Sequence, residues 1–329
     1  MNEHNLFNLI RSGDLEQSDS VINKASQGGD DLVQYLNYML LYAASVKWDK
    51  NIDSHPVVII NSVKNILSDD IENPSLTLLT FCFNILSKLP LRDRDEYYIK
   101  KVEEEGVGLA VFIGEFEDSI QVGDWEKAKV LAAKFFLVSD KSRAIIDSLA
   151  ELGLQNINAN GLFIFHLLRA FNFMQNKSQI WTYACCLMDV IKLKKLSKPH
   201  KRKKYNPESL INKIPYNYKI KTWVLLSAVM RVWNNDYVRQ EGYKREISHW
   251  LFSLKTIIDK NTKQDISNHS SQNFSNNNFI KMAEEIIKEN KKNKISDKLI
   301  ALDGLRYLSK IKNKNMINVL DYHLKKLRL

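Results

Sequence analysis

The groups in this 329-residue chain with the readiest acid–base and metal chemistry are seven histidines, at positions 4, 55, 166, 200, 249, 269 and 323. A compact metal site needs ligands at short, fixed spacing, and the chain contains no HExxH, CxxC or HxH. Glu246 and His249 form one ExxH in a stretch of helical periodicity, which puts both side chains on one face. A dinuclear carboxylate bundle needs two such elements and two further carboxylates, and no second ExxH occurs. No metal is therefore assigned, with Glu246 and His249 the nearest approach to a ligand pair. His166 lies in GLFIFHLLRAF, an apolar setting that favours a hydrogen-bonded core or edge histidine. His55 stands beside Pro56 at the head of an apolar run, after a polar loop containing Asp53. Helix N-termini present free N–H groups, so His55 reads either as a functional group or as part of a cap.

Other chemistries find no support. GxSxG is absent, and Cys82, Cys185 and Cys186 all lie in apolar runs, where a thiol stays protonated. An odd set of three, two of them adjacent, fits reduced buried thiols and not a disulfide framework. Without a glycine-rich phosphate loop, a nucleoside triphosphate or dinucleotide has no cradle of the usual kind. No cofactor is assigned.

The elements that must position these residues are helices. From Gly123 to Ile191 the chain reads as four in succession. Gly123 can close one helix in the left-handed conformation, and Asp124 can accept orphan N–H groups of the next. The last two are apolar almost all round, which places them inside a multi-helix array. Helices are expected over 32–46, 56–68, 75–89, 109–122, 125–138, 160–175, 178–195, 218–233 and 238–258, with two short ones before them. The β-branched run Val57–Leu67 could be a buried strand, but Asn61, Ser62, Lys64 and Asn65 restore a 3.6 period. Glycine (11) and proline (6) are too scarce for a many-turn β-sandwich. The expected fold is all-α, an irregular α-solenoid-like stack or bundle of antiparallel helix pairs with a basic C-terminal helical appendage. Helix pairs recur without a shared signature, so no known repeat is assigned.

Charge marks the boundaries. The net charge is +10, yet residues 190–204 carry eight Lys/Arg and no Asp/Glu, and residues 281–329 carry thirteen against six. The remainder is net acidic, so any anionic partner would meet local patches. The expected organisation is an N-terminal array (1–191), a basic exposed loop (192–206) and a second apolar helix pair packed on the array (207–259). A flexible polar linker (260–277) and basic C-terminal helices (278–329) follow. The loop should be protease-sensitive, and Lys198, Lys201, Arg202, Lys203 and Lys204 are its candidate anion contacts, open to nucleic-acid phosphates. No helix-turn-helix, zinc finger or RNA-recognition signature accompanies it. The N-terminus lacks a signal-peptide pattern, and no stretch reaches eighteen apolar residues, so a cytoplasmic protein without a membrane span is expected.

Four segments in matching order, from about residue 30 to 191, resemble a poorly characterised bacterial all-helical family. They are His55-Pro-Val-Val-Ile-Ile-Asn61-Ser62; Phe83-Asn84 followed by Arg92-Asp93; Phe116-Glu-Asp-Ser-Ile-Gln-Val-Gly-Asp-Trp-Glu-Lys-Ala128; and Gly161-Leu-Phe-Ile-Phe-His-Leu-Leu-Arg169 with Trp181 beyond. The resemblance implies that His55, Asn61, Asn84 and Asp93 occupy shared polar positions. This chain has Asn160-Gly161-Leu162 where the family shows a Gly-His-Lys-like turn. The His-Pro-led helix is also similar to helical oxidases of the questin-oxidase type. Two functions are carried forward. The first is a non-catalytic helical binding or scaffold protein, its partner another protein. The alternative is an oxidoreductase-like enzyme with a His55-centred pocket. Convergence of His55, Asn61, Asn84, Arg92 and Asp93 on one concave site would favour the enzyme.

Overall fold

The computed structural model describes residues 2–108, 112–174, 176–201, 204–261, 278–289 and 294–327. These residues form seventeen α-helices and no sheet. In chain order they are α1 Glu3–Ser12, α2 Leu15–Ala25, α3 Gly29–Ser45, α4 Pro56–Leu67, α5 Leu76–Leu86 and α6 Tyr97–Glu105. Then come α7 Ile113–Val122, α8 Trp125–Val138, α9 Ala144–Leu154, α10 Ile157–Phe173 and α11 Ile180–Lys192. The rest are α12 Glu208–Ile211, α13 Ile220–Trp233, α14 Gln240–Asn261, α15 Phe279–Lys288, α16 Ile295–Leu308 and α17 Lys314–Leu327.

The centre is built from α4, α10, α13 and α16. Helix α4 packs on α3, α10 and α16, and α13 bridges α10 and α16. Every residue of α4 except Lys64 is buried, so neighbours cover its dense β-branched run on all sides. Helices α9 and α11 continue the array beside α10, α14 packs on α9, and α6, α7 and α8 form a lobe against it. The Gly123–Asp124 junction is as expected. Gly123 is left-handed at φ 82°, and the Asp124 carboxylate accepts from Lys127 N–H. Among the described residues no helix is long and apolar enough to cross a membrane.

Three differences from the sequence reading have physical causes. Helix α9 is one of the four helices expected between Gly123 and Ile191 but has no range among those given; a cap at Asn156 splits it from α10, which starts at Ile157 and not at 160. The short α12 also escaped a periodicity reading, because four residues carry no period. The C-terminal helices, expected as a basic appendage, place α16 in the core against α4 and α13. Two of its charges mislead because they are buried in the fold and paired: Asp303 with Arg231 at 2.9 Å, and Arg306 with Asp69. Of the expected linker, residues 262–277 lie outside the described residues.

The α13–α16 contact is close enough to need a glycine. A Cβ on Gly304 would stand 3.1 Å from Ser227 Oγ and 3.2 Å from the Val224 Cα. Gly304→Val should therefore cost about 1–3 kcal/mol by overpacking. Urea unfolding reads this as a lower midpoint at unchanged slope, and a loss below about 0.5 kcal/mol would contradict the close approach.

Candidate functional site

His55 caps α4 with its own ring. Its Nδ1 accepts the Val57 N–H at 3.1 Å, and Pro56 takes the first helical position, where a missing N–H costs nothing. An accepting Nδ1 leaves the proton on Nε2, which lies 3.8 Å from Cys186 Sγ. The ring is 1% exposed, edge-on to Trp48 at 5.7 Å and to Phe163 at 4.9 Å. Burial, with the nearby Arg92 charge adding to it, drives its pKa down to about 3, so the imidazole is neutral.

Arg92 follows a backbone crossing between residues 45–47 and 90–92. Arg92 N–H donates to Ser45 O and Lys47 N–H to Pro90 O, each at 2.8 Å. Its guanidinium then uses all five N–H groups. Nε and Nη2 grip Asp95 at 2.8 and 2.6 Å. Nη1 donates to Ala44 O (2.6 Å) and Val46 O (3.3 Å), and Nη2 also donates to Thr182 O (3.1 Å). The Trp181 indole N–H reaches Asp95 O. One side chain thus joins the end of α3, the loop before α6, and α11.

Outside this knot lies a cleft of about 240 Å3 lined by Lys47, Arg92, Asp93, Arg94, Asp95, Tyr98, Glu126, Lys129, Cys185, Met188 and Asp189. Cations and anions alternate round it: Lys129 pairs with Asp189 at 3.4 Å, and Tyr98 OH donates to Glu126 at 2.9 Å. Burial, with Asp95 adding to it, raises the Cys185 thiol well above its ordinary pKa; burial also raises Cys186, to about 12. Neither is an activated nucleophile.

The remaining candidates fall in different places. Asn61 is fully buried, with Nδ2 2.8 Å from His166 Nδ1, inside the α4–α10 interface. Burial first, then the Arg231 and Lys64 charges, push the His166 pKa well down. Asn84 is exposed on α5. Asp93 is exposed at the rim of the cleft. Of the five residues whose convergence would favour an enzyme, Arg92 and Asp93 line the cleft, His55 is buried against Cys186 and does not line it, and Asn61 and Asn84 lie elsewhere.

Glu246 is engaged by protein groups. His200 donates to it through its backbone N–H (3.2 Å), its Nδ1 stands 2.5 Å away, and Arg245 Nε donates at 2.9 Å. The His200 ring stacks on His249 at 3.5 Å. These contacts change the picture of the basic loop. Lys198 and Lys201 are exposed, but Leu196 is buried, Ser197 O accepts from Gln121, and Lys204 pairs with Glu241 at 2.8 Å. The described part is pinned to α7 and α14, because residues between the lysines carry the anchoring contacts. Arg202 and Lys203 lie outside the described residues.

No family model, curated protein or solved structure matches this chain.

Sequence reasoning missed Asp95, Lys129 and Asp189. Asp95 had a signal, since Arg92 and Asp95 stand three apart in the charged segment. Asp189 had only its oddity as one acid in the apolar run of α11.

Proposed function

We propose that the protein is a non-catalytic helical binding and scaffold protein whose recognition surface is the charged cleft between α6, α8 and α11. The observation that carries this reading is Arg92: this candidate, which lines the cleft, spends every donor on the protein's own backbone and on Asp95. His55 is equally committed, to Val57 N–H and Cys186. The oxidoreductase-like alternative would need a ring nitrogen presented to a pocket, and both face protein atoms. What remains accessible is a rim of both signs (Lys47, Asp93, Arg94, Lys129, Asp189), suited to a protein partner with complementary charges.

Reversing two exposed rim charges tests it. Asp93→Arg with Arg94→Glu should leave stability within about 0.5 kcal/mol, since neither residue is buried. Affinity capture from native lysate should then show a protein partner retained by the wild type and depleted about tenfold with the variant. Identical capture by both proteins, or none by either, would overturn the proposal.

A further inference from the structure

The seam between α4, α10, α13 and α16 holds more cations than its carboxylates can compensate. Asp303, fully buried on α16, accepts from Arg231 Nη1 at 2.9 Å and from Asn65 Nδ2 at 3.2 Å. Asp69, just beyond α4, accepts from Arg306 Nε at 2.7 Å, and Arg306 Nη2 also donates to Ser68 at 2.9 Å. Each carboxylate is thus taken by one arginine. Lys64 and Arg169 share the seam with them, and among the described residues neither has an ion-pair or hydrogen-bond partner. Both are partly exposed, so solvent reaches them. Lys64 sits on the face of α4 that carries Asn61 and Ser68, with Nζ 4.7 Å from the centre of the Phe173 ring. Arg169 stands one helical turn before Phe173 on α10, a spacing that puts the two on one face of that helix. Arg231, above the Phe165 ring at 4.0 Å, closes the cluster from α13.

Four cations and two carboxylates leave a surplus of two positive charges in a partly desolvated space. Such an arrangement is repulsive without a counter-charge. Burial first, and then the Arg169 charge, bring the Lys64 pKa down to about 8, the direction in which unbalanced cations act. We infer that this seam is a binding site for a doubly charged oxyanion of the phosphate class, held by Lys64 and Arg169. The pair has the chemistry for it. A guanidinium offers a planar fork for two oxygens, and an ammonium offers a point charge for a third. A dianion matches the surplus; a chloride cannot. The site is separate from the charged cleft on α6, α8 and α11 and independent of the function proposed for it.

The probe is inorganic phosphate at neutral pH, against chloride at equal ionic strength. Phosphate should raise the melting temperature saturably in the wild type, because a ligand that binds only the folded state stabilises it. In Lys64→Met/Arg169→Met the increment should vanish, while the melting temperature in chloride stays level or rises as the repulsion is relieved. Lys198→Ser/Lys201→Ser, in the basic loop, should keep the full increment. Arg169→Lys keeps the charge and loses the fork, so calorimetric titration should show phosphate bound about tenfold more weakly. No phosphate-specific increment in the wild type, an increment that survives the double substitution, or unchanged affinity in Arg169→Lys would each overturn the inference.

Discussion

Acidification from pH 6.5 to 5.5 should remove about 2 kcal/mol of stability, before most carboxylates begin to titrate. The main cause is two neutral histidines deep in the core, with His323, also lowered by burial, adding to the same trend. Burial lowers His55 from 6.5 to about 3 and His166 well below 6.5, each aided by neighbouring cations: Arg92 for the first, Arg231 and Lys64 for the second. The unfolded chain binds a proton at each histidine below about 6.5, and the folded chain does not. Stability is therefore full above that value and falls as pH drops through the window toward 3. One such group changes stability by about 1.4 kcal/mol per pH unit once well inside the window. Urea midpoints at pH 8, 6.5, 5.5 and 5 measure the slope. His55→Asn keeps an oxygen to cap Val57 N–H, and it should flatten the slope by the share of one group even if it lowers stability at pH 8. A flat profile between 6.5 and 5.5, or the same slope in His55→Asn, would refute neutral burial.

How much of this was legible in the sequence depends on whether a residue's role is local. Helix starts were legible because capping is local: the Gly123–Asp124 junction, and Pro56 in the first turn of α4, behave as their types dictate. The helical reading of Val57–Leu67 also held, since polar residues kept a 3.6 period inside a dense apolar run. Pairings across the fold were not legible. Asp303 and Arg306 look like surface charges on a basic tail, yet their partners lie on α13 and just after α4. Nothing local separates a solvated aspartate from one buried against an arginine 72 residues away. The candidate site shows the same division. His55 was singled out for its place at a helix start, and capping is what its Nδ1 does. That its other nitrogen would meet Cys186, 131 residues on, follows only from the packing of α11 beside α10 and α3. Likewise, eight basic residues in the 190–204 stretch suggested a free loop, while the unremarkable Leu196 and His200 between them tie it down.

Replacing Arg92 by methionine should cost about 3–5 kcal/mol, a large part of a domain's typical stability. The side chain is 9% exposed and its five donors meet Asp95 and three backbone carbonyls. Methionine fills similar volume, so little of the loss is cavity formation. The cost is instead the desolvation of Ala44, Val46 and Thr182 carbonyls left without their charged donor, and of Asp95 left without its fork. Arg92→Lys separates charge from geometry. An ammonium keeps the charge but has three donors diverging from one point, too few to hold the carboxylate bidentately and still reach three carbonyls. It should recover less than half of the loss. Asn84→Ala, at an exposed position marked as shared by the same sequence resemblance, should change stability by no more than about 0.5 kcal/mol. Chemical unfolding of the three variants ranks them. If Arg92→Met cost as little as Asn84→Ala, Arg92 would be a free cation of the cleft, available to a ligand, and the assignment of its donors to the scaffold would be lost.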